Sequence, residues 1–458
     1  MRTALLPALA LVLAGQSVAW EPAVVIAQSD TACYLPLGNT WALAAAHDTL
    51  HAVWYHAANG GFDISYRRSI DNGTTWQTPV RISNDSVYSG YPGVAVAGPD
   101  VHITWVQGID ARGDSGDQVY YRRSTDGGVT FEPAVQLSHS IGGYYGGWFP
   151  CVITEAACVH VAWEDDREGE DQIFYRRSTD NGASWNTENP ILGQLGYVNP
   201  SLAAIGTTLI CAYYDFNANV VYYQRSTNNG NTWAGKVGIP TPDVSDCPCL
   251  GSEGDTVHMV YCDGRNNHWD VWYRRSTDKG VTWSADTCIC PDIYQTWTTN
   301  MAVSGSNVHV VRGDMGMYET HYIRSTDGGR TWDPERVLSE SAPGGDAMHY
   351  SVAAADSNVH VLFDRIRWVY YRRDLGGNPV AVEEGRFQPA AGRRASSLFS
   401  GAVRMRGREH EWFEVLDFSG RRVATCRGAE VGKGLAPGTY IIRPLHGRAD
   451  RIKVVKVE

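Results

Sequence analysis

Beyond residue 19 the chain has no apolar run long enough for a transmembrane helix, which needs about 20 consecutive apolar residues. No segment repeats its apolar residues at a helical period. A surplus of positive charge is also missing: Lys and Arg together number 39 against 50 for Asp and Glu, a net charge of −11. That balance argues against nucleic acid or an anionic membrane as partner and disfavours a polyanionic substrate. The acidic residues Asp110, Asp114 and Asp117 lack EF-hand spacing. The sequence calls for no cofactor.

What is present is a repeat. Its fullest form reads Tyr120-Tyr121-Arg122-Arg123-Ser124-Thr125-Asp126-Gly127-Gly128-Val129-Thr130-Phe131. The phrase returns with its Asp or equivalent at Asp71, Asp126, Asp180, Asn228, Asp278 and Asp327, in steps of 55, 54, 48, 50 and 49 residues. A fixed period in this range marks a repeat architecture. The aromatic run suits a strand, and Asp-Gly-Gly or Asp-Asn-Gly is turn chemistry, with Gly supplying positive φ. The closing aromatics Trp76, Phe131, Trp185, Trp233, Trp283 and Trp332 are placed to pack between neighbouring units. Upstream of each turn lie apolar strands such as Val101-His102-Ile103-Thr104-Trp105 and Val159-His160-Val161-Ala162-Trp163. Four short strands per period describe a β-propeller blade.

The motif Ser-x-Asp-x-Gly-x-Thr-Trp resembles the Asp-box (BNR) repeat of sialidase-like propellers. The resemblance implies an all-β fold, and inner hairpins near Val53, Val101, Val159, Leu209, Val257, Val308 and Val359 count seven blades, with six as the alternative. The Asp-box carboxylates are expected to be structural, each satisfying its own turn. A sialidase would need three Arg around a carboxylate, a Tyr nucleophile paired with Glu, and an acid/base Asp. The family's early Arg-Ile-Pro motif is absent, which counts against that activity.

Residues 1–19 read as a secretory signal ending Ser17-Val18-Ala19. The following Trp20-Glu21-Pro22-Ala23-Val24-Val25-Ile26 resembles Phe131-Glu132-Pro133-Ala134-Val135-Gln136-Leu137, the outer strand of a blade. The final blade ends in Asp374-Leu375-Gly376-Gly377 without an outer strand of its own, so the first strand is expected to close the ring. Thus the propeller spans 20–377, residues 378–398 form a linker, and 399–458 form a small Ig-like β-sandwich. Residues 380–458 hold 15 Lys+Arg and 9 Asp+Glu, leaving 24 and 41 for the rest, so the two parts carry opposite net charge. The turns Asp417-Phe418-Ser419-Gly420-Arg421-Arg422-Val423 and Leu435-Ala436-Pro437-Gly438-Thr439-Tyr440, with the Lys453-Val454-Val455-Lys456 end, resemble the C-terminal sorting domain of the bacterial type IX secretion system. That implies export by the type IX machinery and a protein secreted or attached to the outer-membrane surface.

A site has to break the repeat's symmetry, and the loops between second and third strands do. The second holds Asp110, Arg112, Asp114 and Asp117; the third is Glu164-Asp165-Asp166-Arg167-Glu168-Gly169-Glu170-Asp171. Hairpin five holds Asp263, Arg265, His268 and Asp270, and hairpin seven Asp364, Arg365 and Arg367. Register makes Arg167, Arg265 and Arg367 equivalent, and the starts of the inner strands add Trp41, Tyr91, Trp148, Tyr197, Trp297 and Tyr350. Aromatic faces beside carboxylates and Arg suit sugar rings. The expected function is binding of an extracellular glycan or protein by these Arg and aromatic residues. A sialidase-like glycoside hydrolase, with Asp165, Asp166 and Asp263 as catalytic candidates, is the alternative. Among the ten cysteines, Cys247 and Cys262 are expected to pair as a disulfide. A zinc site from Cys247, Cys249, Cys288 and Cys290 is the alternative, against the usual Cys-x2–4-Cys spacing.

Overall fold

The computed structural model describes residues 20–375 except 31, 37–39, 59–60, 84–87, 109–116, 140–145, 168–170, 192–195, 242, 292–295, 297, 315–317, 340–348 and 357. In the tail it describes Ser397–Phe399, Trp412–Asp417, Arg422–Arg427, Gly438–Pro444 and Ile452–Lys456. The signal, residues 378–396 of the expected linker and the loop residues Asp110, Arg112, Asp114, Glu168 and Glu170 therefore lie outside the described residues, as does Trp297, whereas Ser397 and Leu398 belong to a strand.

Among the described residues there is no helix. Residues 33–81, 89–136, 147–190, 197–238, 245–290, 299–337 and 350–375 each fold into one antiparallel sheet, giving seven blades. Each chain segment starts at the axis and works outward through second, third and outer strands. The inner strands of neighbouring blades meet all the way round, the seventh meeting the first. Blade seven takes its outer strand from Val24–Gln28, with Val24 opposite Tyr371 and Gln28 opposite Trp368. The ring thus closes as the sequence led us to expect, which leaves neither terminal blade with a bare edge.

One contact recurs at every seam. The third-strand Tyr of each blade meets the aromatic that closes the next blade's turn, ring edge to ring face. The centroids lie 4.9 Å apart for Tyr66–Phe131, 4.7 Å for Tyr121–Trp185 and 5.3 Å for Tyr175–Trp233. They lie 5.5 Å apart for Tyr223–Trp283, 4.9 Å for Tyr273–Trp332 and 5.1 Å for Tyr371–Trp76. In six blades a buried His fixes the Tyr hydroxyl, as His102 Nδ1 does with Tyr121 at 2.7 Å. Burial holds that imidazole well below its ordinary value, to about 4, so it stays neutral and hydrogen-bonds rather than carrying charge. The Tyr121 hydroxyl then rests on the glycine of the next turn: a Cβ on Gly182 would stand 1.8 Å from it, and Gly182 also has φ 84°. Only glycine fits there, for both reasons.

The Arg pair completes the seam. Arg122 Nη1 donates back to Ile82 O at 2.7 Å, and Arg123 Nη1 donates forward to Asn181 O at 2.9 Å. Each box carboxylate satisfies its own turn: Asp126 accepts from Ser124 Oγ at 2.7 Å, Thr130 N at 2.9 Å and Thr130 Oγ1 at 2.6 Å. Those donors hold its carboxyl well below the usual range.

Blade seven has no box, and the N-terminus supplies the missing parts. Trp20 meets Tyr322 edge-on at 4.9 Å. Glu21 Oε2 accepts from Arg373 Nε at 2.9 Å, as Glu132 does from Arg123 at 2.7 Å.

Trp41 crosses the axis: its Nε1 donates to Met301 O of blade six at 3.0 Å, and its ring packs against the cores of blades three to six. Beside it is a cavity of about 560 Å³ walled by small apolar inner-strand side chains, among them Val94, Leu202, Ala302 and Ala353.

Residues 381–458 form a separate unit. Its described strands make one five-stranded sheet, in which Ser397–Phe399 runs parallel to Ile452–Lys456 and the remaining pairs are antiparallel. Val415 is buried.

Replacing Trp20 by Ala should lower the propeller's unfolding free energy by about 3 kcal/mol, the lower end of the range for losing a buried aromatic, since Trp20 is half-buried. Trp283→Ala should do the same if all seams are equivalent. Urea unfolding followed by near-ultraviolet circular dichroism measures both. An unchanged midpoint for Trp20→Ala means the first residues are not a working part of the ring.

Candidate functional site

The second-to-third-strand loops open on the face opposite the box turns. On that face four consecutive blades share a distortion that is absent among the described residues of the other three. The inner strands of blades two to five begin with an irregular pairing, at Gly90/Gly93, Trp148/Cys151, Val198/Ser201 and Asp246/Cys249. Each contains a non-glycine residue of positive φ: Tyr91 at 51°, Phe149 at 46°, Asn199 at 55° and Cys247 at 51°. Each is followed by proline: Pro92, Pro150, Pro200 and Pro248. A backbone in this region costs about 1–3 kcal/mol and persists only where its surroundings impose it. The bulge also re-aims the side chains of an otherwise alternating strand.

The result is a continuous aromatic band across blades seven, one, two and three. Tyr91 lies 5.2 Å from Trp148, 4.9 Å from Phe149 and 6.1 Å from Tyr55, centroid to centroid. From Tyr55 the band continues to Phe62 at 5.7 Å and on to Tyr88 at 5.2 Å. On the other side Tyr34 lies 5.6 Å from Tyr55 and 6.1 Å from the His349 ring.

An acid stands at each end of the band. Around the ring, the second-strand position four beyond the blade His or its equivalent is held by Tyr55, Val106, Glu164, Tyr214, Cys262, Gly313 and Asp364. Only blades three and seven place a carboxylate there, and the two are handled differently. Asp364 is saturated: its oxygens accept from His349 Nδ1 at 2.5 Å, Leu35 N at 2.8 Å and His349 N at 3.1 Å. Glu164, opposite Trp148 in the sheet, accepts a long bond from Asn199 N at 3.4 Å. Burial, and then the negative Asp171 and Asp166, push its carboxyl up to about 8. Asp117 is pushed up to about 6 by burial and by Asp166. Tyr91 rises to about 12, through burial and the neighbouring Tyr88, Asp117 and Glu164. At neutral pH the band therefore borders a carboxylic acid that keeps its proton, a second that is partly protonated, and a neutral phenol.

The residues expected from the sequence divide sharply. Tyr91 and Trp148 are in this site. Trp41 is on the axis with its indole nitrogen committed to Met301 O. Tyr350 is buried, its hydroxyl 2.6 Å from Thr298 Oγ1. Tyr197 pairs with Asp215 through the backbone.

Arg167 binds its own hairpin, with Nε 2.8 Å from Asp165 Oδ1, a further bond to Glu188, and its guanidinium 4.2 Å over Phe174. Arg265 repeats this with Asp263 at 2.9 Å, Asp286 at 2.8 Å and Trp272 at 3.8 Å. Asp165 and Asp263 are fully buried inside these pairs, and Asp166 accepts from Gly146 N at 2.7 Å. Arg367 is exposed on its turn. The three Arg do not converge. Arg167 and Arg265 brace separate hairpins.

The nine described cysteines are free thiols, so the expected Cys247–Cys262 disulfide is not formed. The positive φ at Cys247 breaks the strand alternation on which that pairing rested, and Asp246 is the residue opposite Cys262. Nor do Cys247, Cys249, Cys288 and Cys290 gather into a zinc site: among the described residues no three His, Cys, Asp or Glu side chains are grouped to hold a metal. Cys249 and Cys290 are packed in the apolar core of blade five.

Glu164 was within the loop read as chemistry-bearing but was not among its named candidates. Alignment of the repeats on the blade His would have separated it from Asp165, because Asp recurs after it in blades four, five and six. The four X-Pro pairs were a second signal, since proline inside a strand marks a bulge or an edge.

Comparison with known proteins agrees with the architecture. Residues 92–248 match the family model of the BNR repeat-like domain. The matched segment lies within the seven-bladed β-propeller. No curated protein matches the sequence.

Several solved structures share the fold at low identity. A polysaccharide lyase of family PL25, an ulvan lyase, is 12% identical with a TM-score of 0.53, over 76% of this chain and 94% of its own. YCF48 bound to D1 peptide is 14% identical with a TM-score of 0.50, over 81% and 99%. The Hadza microbial sialidase Hz136 is 15% identical with a TM-score of 0.46, over 75% of this chain, which spans 66% of the sialidase.

A carboxyl raised by folding contributes stability in its protonated form. That contribution is complete below the unfolded value of about 4.3 and is lost as pH rises through the folded value. Glu164→Gln should therefore match the parent at pH near 4 and exceed it at pH near 8.5 by about 1 kcal/mol or more. Parallel pH dependences for the two proteins, in thermal or urea unfolding, would refute the buried-acid assignment.

Proposed function

We propose that the protein is a carbohydrate-binding propeller whose ligand lies across the aromatic band of blades one to three. The observation that carries this reading is the band itself. Tyr55, Tyr91 and Trp148 offer faces for sugar rings, and Asp117 and Glu164 beside them offer hydrogen-bond partners for hydroxyls. Further support comes from the strained backbone at Tyr91 and Phe149, which is confined to one part of the ring. The fold alone does not choose a ligand, because its solved neighbours include an ulvan lyase and a protein bound to a peptide. Tyr91→Ala and Trp148→Ala should each weaken binding of the best ligand on a glycan array by about tenfold, the loss of one good stacking contact. Silence of the parent protein across the array would end the carbohydrate reading and favour a protein ligand.

A second reading, a glycoside-cleaving enzyme, is favoured by Glu164 alone. A carboxylic acid that keeps its proton at neutral pH can hand it to a leaving-group oxygen. Against a sialidase-type site stands the commitment of Arg167 and Arg265 to their own hairpins.

We also propose that the protein is exported, with residues 1–19 as its signal. In this proposal residues 399–458 are an Ig-like sandwich that addresses it to the type IX machinery and the outer-membrane surface. The turn motifs, the separate C-terminal unit and its strand content support this. A chain truncated after residue 380 should accumulate inside the cell envelope while the full chain reaches the surface. Equal surface display by immunofluorescence would rule the tail out as the address.

A further inference from the structure

We propose that the propeller carries a built-in acid trigger: on mild acidification the histidines that aim the seam tyrosines take up protons together and the blades part. The proposal goes beyond the carbohydrate reading and does not rest on it.

The first ground is where these rings lie. His51, His102, His160, His258, His309 and His360 are at most 2% exposed. Each has Nδ1 2.6–2.7 Å from the hydroxyl of a seam Tyr, namely Tyr66, Tyr121, Tyr175, Tyr273, Tyr322 and Tyr371 in turn. In His160, His309 and His360 the other nitrogen, Nε2, is buried with no hydrogen-bond partner among the described residues. None of the six has a carboxylate at ion-pair distance among those residues, whereas His321 and His349, outside the seams, do.

The second ground is what faces them. The third-strand charge that acts on each imidazole is positive: Arg68, Arg123, Arg177, Arg275, Arg324 and Arg373 in turn. His102 alone also feels a carboxylate, Asp100, and the side chain of Asn181 in the next turn. From the next blade, Asp126 acts on the Tyr66 hydroxyl, Asp180 on Tyr121, Asp327 on Tyr273, Asp374 on Tyr322 and Asp71 on Tyr371. The thiols of Cys158 and Cys211 act on Tyr175. The box carboxylates among these are engaged by their own turns.

A neutral imidazole suits such a place. An added proton would be a charge cut off from water, beside a guanidinium and without a counter-ion. Once the blades part, the same imidazole is hydrated and takes its proton near the ordinary value of about 6.5.

The third ground is that the seam has no slack. A Cβ on Gly73, Gly128, Gly182, Gly230 or Gly329 would stand 1.8–1.9 Å from the facing Tyr hydroxyl. The Tyr therefore cannot swing toward the next turn to let water reach the imidazole. Relief comes only as the neighbouring blade moves off.

The direction of the effect follows. Burial lowers these imidazoles in the closed ring, so their stabilising effect is whole above the unfolded value and is lost as pH falls toward the folded one. Glu164, Asp117 and Asp374, carboxyls raised by burial, work in the opposite sense and are outnumbered. Blade four is a natural control. Ile210 stands opposite Arg225 where His102 stands opposite Arg123, and Tyr223 still meets Trp283 at 5.5 Å.

Urea unfolding of the full chain at a series of pH values, followed by near-ultraviolet circular dichroism, tests the trigger. Each proton taken up on parting multiplies the unfolding constant about tenfold per pH unit. The parent's constant should rise about a thousandfold per unit as pH falls from about 6 to 5, six histidines set against three carboxyls. His102→Asn, which keeps a hydrogen-bonding group at the place of Nδ1, should lower that slope by about tenfold, and Ile210→His should raise it by about tenfold. His258→Asn reads the same effect at a distant seam if His102→Asn does not fold. A parent slope of tenfold or less, or slopes that the variants leave unchanged, overturns the proposal. Sugar binding plays no part in the readout, so that result leaves the carbohydrate reading standing.

Discussion

The Tyr-to-aromatic seam is the constraint from which the rest of the propeller follows. A single four-stranded sheet of this size has too little core to stand alone. Each blade therefore completes its core with an aromatic side chain from the next, Trp20 serving at the seam with blade seven. In five blades the third-strand Tyr is aimed by a His, its hydroxyl is received by a glycine, and its ring is capped by the aromatic three residues beyond that glycine. This explains why glycine, aromatic and Asp recur together: removing any one leaves the other two without purpose. It also explains why the chemistry of the box turns is used up locally, leaving the opposite face to vary.

Much of the architecture was legible because it repeats. The inner hairpins gave the blade count, and the likeness of Trp20-Glu21-Pro22 to Phe131-Glu132-Pro133 foretold the ring closure, to which the structure adds the Glu–Arg pair. The site was only half legible. Tyr91 and Trp148 were picked out by their place at the start of inner strands. Trp41 occupies the same place yet turns to the axis, because nothing in a single blade's sequence says which way an indole leans. Asp165 and Glu164 are adjacent, and one strand position separates a hairpin brace from a candidate site acid. Arg167, Arg265 and Arg367 were expected to bind ligand from equivalent positions, but register gives positions around a ring and not directions. The cysteine pairing failed for the same kind of reason: it assumed regular alternation across a strand that carries a bulge.

The two faces are therefore built on opposite principles. On the box face each turn carboxylate finds its partners within a few residues, so the turns are uniform. On the loop face partners come from different blades, as Asn199 serves Glu164 and Leu35 serves Asp364. Long-range partnership lets two blades depart from the common pattern without disturbing the other five. The positive-φ bulges stay within blades two to five, where the regular seams on either side can hold a locally strained backbone.

The pairing of Val24–Gln28 with Trp368–Leu375 carries a consequence for how the molecule comes into being. The earliest strand made has no partner until the last blade has been synthesised. A nascent chain is consequently an arc with two unpaired borders, open to pairing with other chains until its final blade is made and the two borders meet.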